Sequence, residues 1–299
     1  MQNNQIIIDV DTGIDDALAL AFASKTLNKQ VIGVTTCGGN VKLEEATKNT
    51  LRVLNLLKWK VPVYAGASKS INHTEFIHAY DYHGTNGLCD VDLSLENSAE
   101  EKNAVDFIID SANKYPGELD IVCLATPTNL SKAIQTSPNI VKKISSVYMM
   151  GGALNVPGNQ TDYAEYNFFQ DPKAVEIVLS KIKNIYIVPL DVTNSCFIEE
   201  SDLSDIKSTN SLVSFFREAV TNWYRFFGYP KNRRFELYDP LAVSVLTHKI
   251  IGFKKETIGI NLSGLRQGEI FPNGKYTVNI ASKVNSKDFK KVFIKLIQQ

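Results

Sequence analysis

The sequence predicts an α/β fold: one domain over residues 1–299, built on an open, mostly parallel, doubly wound Rossmann-like sheet. Three observations carry this. Short apolar, β-branched runs alternate with helix-like segments for most of the length, the pattern of a parallel sheet between helices. Each run ends in small or polar residues, as buried strands do where they leave a core. No linker, repeat or low-complexity tract divides the chain.

In chain order the predicted strands are IIID (6–9), VIGVTT (31–36), VPVYAG (61–66), LDIVCLA (119–125), SSVYMMGG (145–152) and IYIVPLDV (185–192). Helix-like segments fall at 15–26, 42–58, 99–114, 128–136 and 171–183. The last third differs. An aromatic-rich helical stretch at 212–229 precedes LYDPLAV, then two strand-like segments near 256–262 and 275–284, then an amphipathic helix at 286–297.

Composition bounds the function. With 32 basic and 32 acidic residues the formal charge is zero, which excludes bulk attraction to nucleic acid or an anionic membrane. No apolar run approaches the roughly 18 residues that span a bilayer. The start, MQNNQIIIDVD, has no basic n-region or apolar core, so the expected compartment is the cytoplasm. Cys37, Cys89, Cys123 and Cys196 form no C-x-x-C pair and read as buried small hydrophobes. His73, His78 and His83 stand five apart, a spacing that spirals around a helix and does not make a zinc pair.

In open α/β sheets the ligand sits beyond the carboxyl ends of the strands. The first strand runs into DVDTGIDDALAL (9–20), holding Asp9, Asp11, Asp15 and Asp16, with Gly13 expected to supply a tight turn. Asp15 as helix cap and Asp16 as dipole complement explain one or two acids, not four. Carboxylates crowded on one crevice repel unless some are protonated or a cation intervenes. Hard oxygen ligands without Cys or His favour Ca²⁺ or Mg²⁺.

A strand followed by D-x-D resembles the haloacid-dehalogenase phosphatases, which use Mg²⁺, but those carry Thr or Val where this chain has Gly13. The whole stretch D-x-D-x-G-x-D-D-A-x-A resembles instead the opening motif of the nucleoside hydrolases, the inosine–uridine-preferring family. Later strand ends continue the likeness. TTCGGNV places Asn40, and LATPTNLSKAI places Thr128 in a turn similar to G-P-L-T-N-L. MMGGALNVPGN and TDYAEYNFFQDP resemble the family's M-G-G, G-N, A-E-F-N and D-P block, placing Met150, Asn159, Glu165 and Asn167. LYDPLAV resembles H-D-P-L-A-V, placing Asp239, and DYHGTNGL resembles H-G-x-x-G-L, placing His83.

The resemblance implies the nucleoside hydrolase fold and Ca²⁺-dependent cleavage of a small-molecule ribonucleoside to free base and ribose, by a homodimer or homotetramer. It implies that Asp11, Asp16, Asp239 and the Thr128 carbonyl hold the metal, with Asp11 also the general base. It implies ribose contacts from Asp15, Asn40, Asn159, Glu165, Asn167 and Asp239, with Met150 packing on the sugar and His83 near the base. The chain departs from the pattern at Tyr238, where base-inclusive relatives carry the His taken as acid for the departing base. Tyrosine, with a pKa near 10, is a far weaker donor than histidine near 6.5, which makes His83 the candidate replacement catalytic acid, or else only a base contact. Three readings stay open: Tyr238 stacks on the base, it hydrogen-bonds an unusual base such as a 7-deazapurine, or the chain binds ribose or a nucleoside without hydrolysing it. The aromatic stretch reads mostly as core. Its end, from Phe226 to Tyr229 with the basic turn Lys231, Arg233 and Arg234, reads as a candidate lid.

Overall fold

A computed structural model describes residues 4–227 and 234–299. The first half comprises β1 (Gln5–Val10), α1 (Ile14–Thr26), β2 (Val31–Thr36), α2 (Leu43–Leu56), β3 (Val63–Ala65), α3 (Tyr80–His83), α4 (Ala104–Lys114), β4 (Leu119–Cys123), α5 (Thr128–Thr136) and β5 (Ile144–Met150). The second comprises α6 (Tyr166–Gln170), α7 (Pro172–Lys181), β6 (Ile185–Val188), α8 (Leu190–Thr193), β7 (Phe197–Ile198), α9 (Ser211–Phe226), β8 (Phe235–Glu236), α10 (Tyr238–Ser244), β9 (Ile251–Ile260), β10 (Ile270–Pro272), β11 (Tyr276–Val284) and α11 (Ser286–Ile297).

The main sheet has the order β10-β9-β11-β6-β5-β4-β1-β2-β3. From β3 across to β11 every neighbouring pair is parallel, and only β9 runs against its neighbours β11 and β10. Strand alternation divides the core into two layers. Ile6, Ile8 and Val10 pack with residues of α1, α2, α9, α10 and α11, whereas Ile7 packs with residues of α4, α5 and α7. The sheet is therefore covered on both faces, as the sequence predicts. No helix among the described residues is long and apolar enough to cross a membrane. All four cysteines are free and buried.

The boundaries differ where local punctuation outranks periodicity. The helix expected from 99 begins at Ala104, because the Asn103 side chain caps it by accepting the Asp106 N–H. The strand expected over 185–192 stops at Val188, since Pro189 turns the chain into α8. The segment expected at 256–262 starts five residues earlier at Ile251 and ends at Ile260, and the short β10 is an edge strand that the periodicity does not show.

Topology places the site. After β3 the chain crosses β1 and resumes at β4 on its other side. The sheet reverses direction of growth between β1 and β4, and a crevice opens beyond their carboxyl ends. Asn129, in the first turn of α5, ties that junction. Its Nδ2 donates to Asp9 Oδ1 at 2.8 Å and to the Thr36 carbonyl at 3.0 Å, while its Oδ1 accepts the Ala67 N–H at 2.8 Å. Truncation would remove a buried hydrogen bond from each of three segments. Asn129→Ala is expected to cost on the order of 3 kcal/mol in urea denaturation, and an unchanged midpoint would remove Asn129 from this role.

Candidate active site

The crevice is built first from β1. Asp9, still in the strand, faces the junction: its Oδ1 accepts from Thr35 Oγ1 (2.5 Å) and Asn129, so it serves the scaffold. Asp11, just past the strand, receives the Asn40 backbone N–H on Oδ2 (2.7 Å) and Asn40 Nδ2 on Oδ1 (3.1 Å). That approach needs Gly39, where a Cβ would lie 1.9 Å from Asp11 Oδ2. Asn40 Nδ2 also donates to Asp16 Oδ2 at 3.1 Å, so one amide bridges two carboxylates. Asp16 closes back on the Gly13 N–H (3.0 Å), which starts α1 at Ile14. Gly13 has φ −93°, open to any residue, so the expected glycine-only turn is not its reason. A Cβ there would strike His83 Nδ1 at 2.5 Å.

Among the described residues, the carboxylates of Asp15, Asp16 and Asp239 each bring an oxygen to within 4.8 Å of the others, all buried. Burial is the first cause of their altered acidity, and mutual repulsion adds to it. Asp15 is pushed up to about 8 by burial and then by Asp16. Asp16 and Asp239 are pushed well above the usual carboxylate range, and Asp11 rises to about 7 through burial against the opposing Asn40 hydrogen bond. Asp16 Oδ1 is buried without a hydrogen-bond partner. An orphaned carboxylate oxygen among other hard oxygen donors fits a divalent cation. The structure thus gathers Asp15 with Asp16 and Asp239, and joins Asp11 to Asp16 through Asn40. Thr128 opens α5 with its hydroxyl on Asp171 (2.8 Å) and does not line the cavity.

The cavity above these acids has a volume of about 330 Å³. One wall comes from the turn after β5. Glu165 caps α6, its carboxylate accepting the N–H groups of Asn167 (2.8 Å), Phe168 (3.1 Å) and Gly152 (2.9 Å), and burial raises it to about 7. Asn167 commits its Nδ2 to the Leu124 carbonyl at 2.6 Å and the Met150 carbonyl at 3.2 Å, clamping the ends of β4 and β5. Asn159 accepts the Tyr166 N–H at 2.8 Å and hydrogen-bonds the Tyr238 hydroxyl. Asp15, Asn40, Met150, Asn159, Glu165, Asn167 and Asp239 all line the cavity.

The opposite wall is aromatic. His83 is buried and accepts the Ile14 N–H on Nδ1 at 3.2 Å, which leaves its proton on Nε2. Burial lowers its pKa to about 3, so it is a neutral imidazole. Burial and then the negative charges of Glu236, Asp15 and Glu165 hold the Tyr238 phenol protonated. Trp223, assigned from sequence to the core, is 1% exposed and lines the cavity with Tyr82 and Phe227. Glu236, Tyr82 and Tyr166 also face it and go unremarked in the sequence; only the F-E-L-Y-D-P spacing, two residues before Tyr238, signals Glu236. Of the candidate lid, Phe227 and Arg234 line the cavity, Phe226 is exposed, and Tyr229, Lys231 and Arg233 lie outside the described residues.

Comparison with known proteins agrees with this geometry. Residues 6–291 match the family described as inosine-uridine preferring nucleoside hydrolase. Uridine nucleosidase 1 of Arabidopsis thaliana is 29% identical over 272 residues, covering 89% of this chain and 81% of the relative. A plant nucleoside hydrolase superposes with TM-score 0.92 at 26% identity, covering 99% of each chain. The purine-preferring ribonucleoside hydrolase from Gardnerella vaginalis superposes with TM-score 0.90 at 28% identity, covering 98% of each. The chain therefore groups with the nucleoside hydrolases and not with the dehalogenase-type phosphatases.

The buried acids set a stability test. In the metal-free folded protein Asp11 and Asp15 keep protons up to about 7 and about 8, whereas the unfolded chain releases them above about 4. The folded state then binds more protons across that window, so stability falls as pH rises from about 4 to 8. Urea denaturation in chelator should show this decline, and saturating Ca²⁺ should flatten it while adding about 2.7 kcal/mol at a hundredfold excess over Kd. Identical pH profiles with and without the cation would contradict the carboxylate cluster as a metal site.

Proposed function

The chain belongs to the inosine-uridine preferring nucleoside hydrolase family, and we propose that it is a Ca²⁺-dependent N-ribohydrolase that releases a purine base from its ribonucleoside. The observation that carries this is the unpartnered Asp16 Oδ1 in one buried cluster with Asp15 and Asp239, two acids that line a cavity bordered by amides and further acids. Ribose offers vicinal hydroxyls and no charge, and such groups match it. When bound, Ca²⁺ supplies neutralisation of the carboxylates, coordination for two hydroxyls and acidification of a water; Asp11, Asp16 and Asp239, with Asp15 beside them, are the groups that would hold it.

The remaining chemistry is the chain's own. Asp11, oriented by both donors of Asn40, takes the water's proton on a carboxylate oxygen as general base. Asp15, Asn40, Asn159, Glu165, Asn167 and Asp239 hold the sugar hydroxyls, and Met150 packs on the ring. As the glycosidic bond breaks the sugar becomes oxocarbenium-like, and the surrounding carboxylates stabilise that charge. Tyr82, Trp223, Phe227 and Tyr238 form an aromatic enclosure suited to a flat base. The purine preference rests on the four rings of that enclosure and on the likeness to the purine-preferring Gardnerella vaginalis enzyme. Tyr238 meets the leaving base as a neutral hydrogen-bond donor, since its phenol does not ionise near neutrality. His83 fixes the start of α1 through Nδ1 and presents Nε2–H.

The reading is tested by incubating common and 7-deaza purine and pyrimidine ribonucleosides with the metal-loaded protein and separating free base by chromatography. Purine release that chelation abolishes is expected. Tyr238→Phe should lower kcat on purine nucleosides by roughly 10-fold or more, the worth of one lost hydrogen bond to developing charge. It should matter far less for p-nitrophenyl riboside, whose phenolate leaves unaided. No base release from any nucleoside with calcium bound would leave the protein a ribose or nucleoside binder.

A further inference from the structure

Two consecutive residues grip the loop between β3 and α3. Gln170 ends α6, and Asp171 follows it as the cap of α7. The Asp171 carboxylate accepts the Ile71 N–H at 2.7 Å. The Gln170 amide takes both backbone groups of Ile77: its Oε1 accepts the N–H at 3.0 Å, and its Nε2 donates to the carbonyl. The Tyr166 hydroxyl, one turn earlier on α6, donates to the same carbonyl. Tyr166 stands where the family's A-E-F-N block has Phe, which has no hydroxyl to give. The Ile77 side chain is 51% exposed, so polar ties and not packing fix this residue.

The neighbours of Ile77 attach to a different part of the site. A Cβ at Gly38 would lie 2.9 Å from the Phe76 ring, His78 Nδ1 is 2.8 Å from the Gly39 carbonyl, and the Ala79 N–H donates to the Asn40 carbonyl at 2.9 Å. Residues 76–79 therefore bridge the turn that carries Asn40 and the helix that follows Glu165. α3 begins directly after this bridge, and Ala79, Asp81, Tyr82 and His83 line the cavity. A single turn of helix has little stability of its own. The C-terminal end of α3 is held by His83 on the Ile14 N–H, and its N-terminal end by the bridge. The acid-rich half has separate ties, through Asn40 to Asp11 and Asp16, and through Asn167 to the Leu124 and Met150 carbonyls. Gln170 is 8% exposed and does not line the cavity.

Resting on the nucleosidase reading above, we propose that Gln170 is a positioning residue: by gripping the Ile77 backbone from α6 it holds α3 in the cavity wall and so pre-forms the aromatic half of the site. A ligand that needs a wall formed in only a fraction of molecules binds more weakly by that fraction. The loss should fall on ligands that carry a base and spare ribose and calcium, whose partners keep their own hydrogen bonds.

The test uses C-nucleosides, whose carbon–carbon link to ribose is not hydrolysed, so binding is read apart from cleavage. Calorimetric affinities of the calcium-loaded protein are measured for ribose, 9-deazainosine and pseudouridine, in wild type, Gln170→Ala and Gln170→Glu. Calcium affinity and hydrogen exchange over residues 76–83 are measured alongside. In Gln170→Ala the C-nucleoside that wild type prefers should bind about fivefold or more weakly, the worth of a backbone hydrogen bond. Exchange should quicken over 76–83, while ribose and calcium stay within about twofold of wild type. Gln170→Glu, which keeps the acceptor for the Ile77 N–H and loses the donor, should fall between. Unchanged C-nucleoside affinity or unchanged exchange in Gln170→Ala overturns the assignment, as does an equal loss for ribose and calcium, which would mark a general structural role. A wild type that binds neither C-nucleoside sinks the nucleosidase reading and the role of Gln170 with it, an outcome distinct from a wild type that binds no better than Gln170→Ala.

Discussion

The rest of the structure is arranged around one costly constraint: several carboxylates buried together where the sheet changes direction. Asp11, Asp15, Asp16 and Asp239 are each 8% exposed or less. Burying even one ionised carboxylate without a partner is expensive, and burying neighbours of like charge more so. The chain answers with oriented donors. Asn40 gives its backbone and amide N–H groups to Asp11 and Asp16, and Gly13 gives its N–H to Asp16. Two glycines permit the close approaches, Gly39 against Asp11 and Gly13 against His83. Asp15 and Asp16 open α1 and Asp239 opens α10, so the positive ends of two packed helices face the same charges. Among the fully buried oxygens of these four acids, Asp16 Oδ1 has no hydrogen-bond partner.

This constraint explains which parts of the site were legible. The acids sit on one short segment after a strand, D-x-D-x-G-x-D-D, because strand end and helix start must meet at the crevice. The wall after β5 was legible for a similar reason: Glu165 and Asn167 cap and clamp a single turn there. Local geometry compresses into local sequence there. Where a residue's reason was non-local the reading erred, as with Gly13, whose requirement is a ring 70 residues onward in the chain and not its own torsion. Helix limits moved for the opposite cause, since one capping side chain such as Asn103 outranks the average of a window.

The aromatic wall was largely illegible. Tyr82, Trp223, Phe227 and Glu236 come from separated segments and meet only through packing. Trp223 looks like core because it is core on one side, with Phe235 and Tyr224 against it, and wall on the other. The two halves of the cavity thus obey different rules. The acid-rich half is set by charge burial, while the aromatic half is a set of ring contacts with one acid inserted.

The account stands on Asp16 being a cation ligand. Calcium binding to the chelator-treated protein, measured by calorimetry for wild type and Asp16→Asn, tests this most directly. The account predicts one site per chain in wild type and an affinity at least about a hundredfold weaker in Asp16→Asn, because an amide presents one acceptor where the carboxylate presented two and carries no charge. Equal calcium affinity in the two proteins would contradict it.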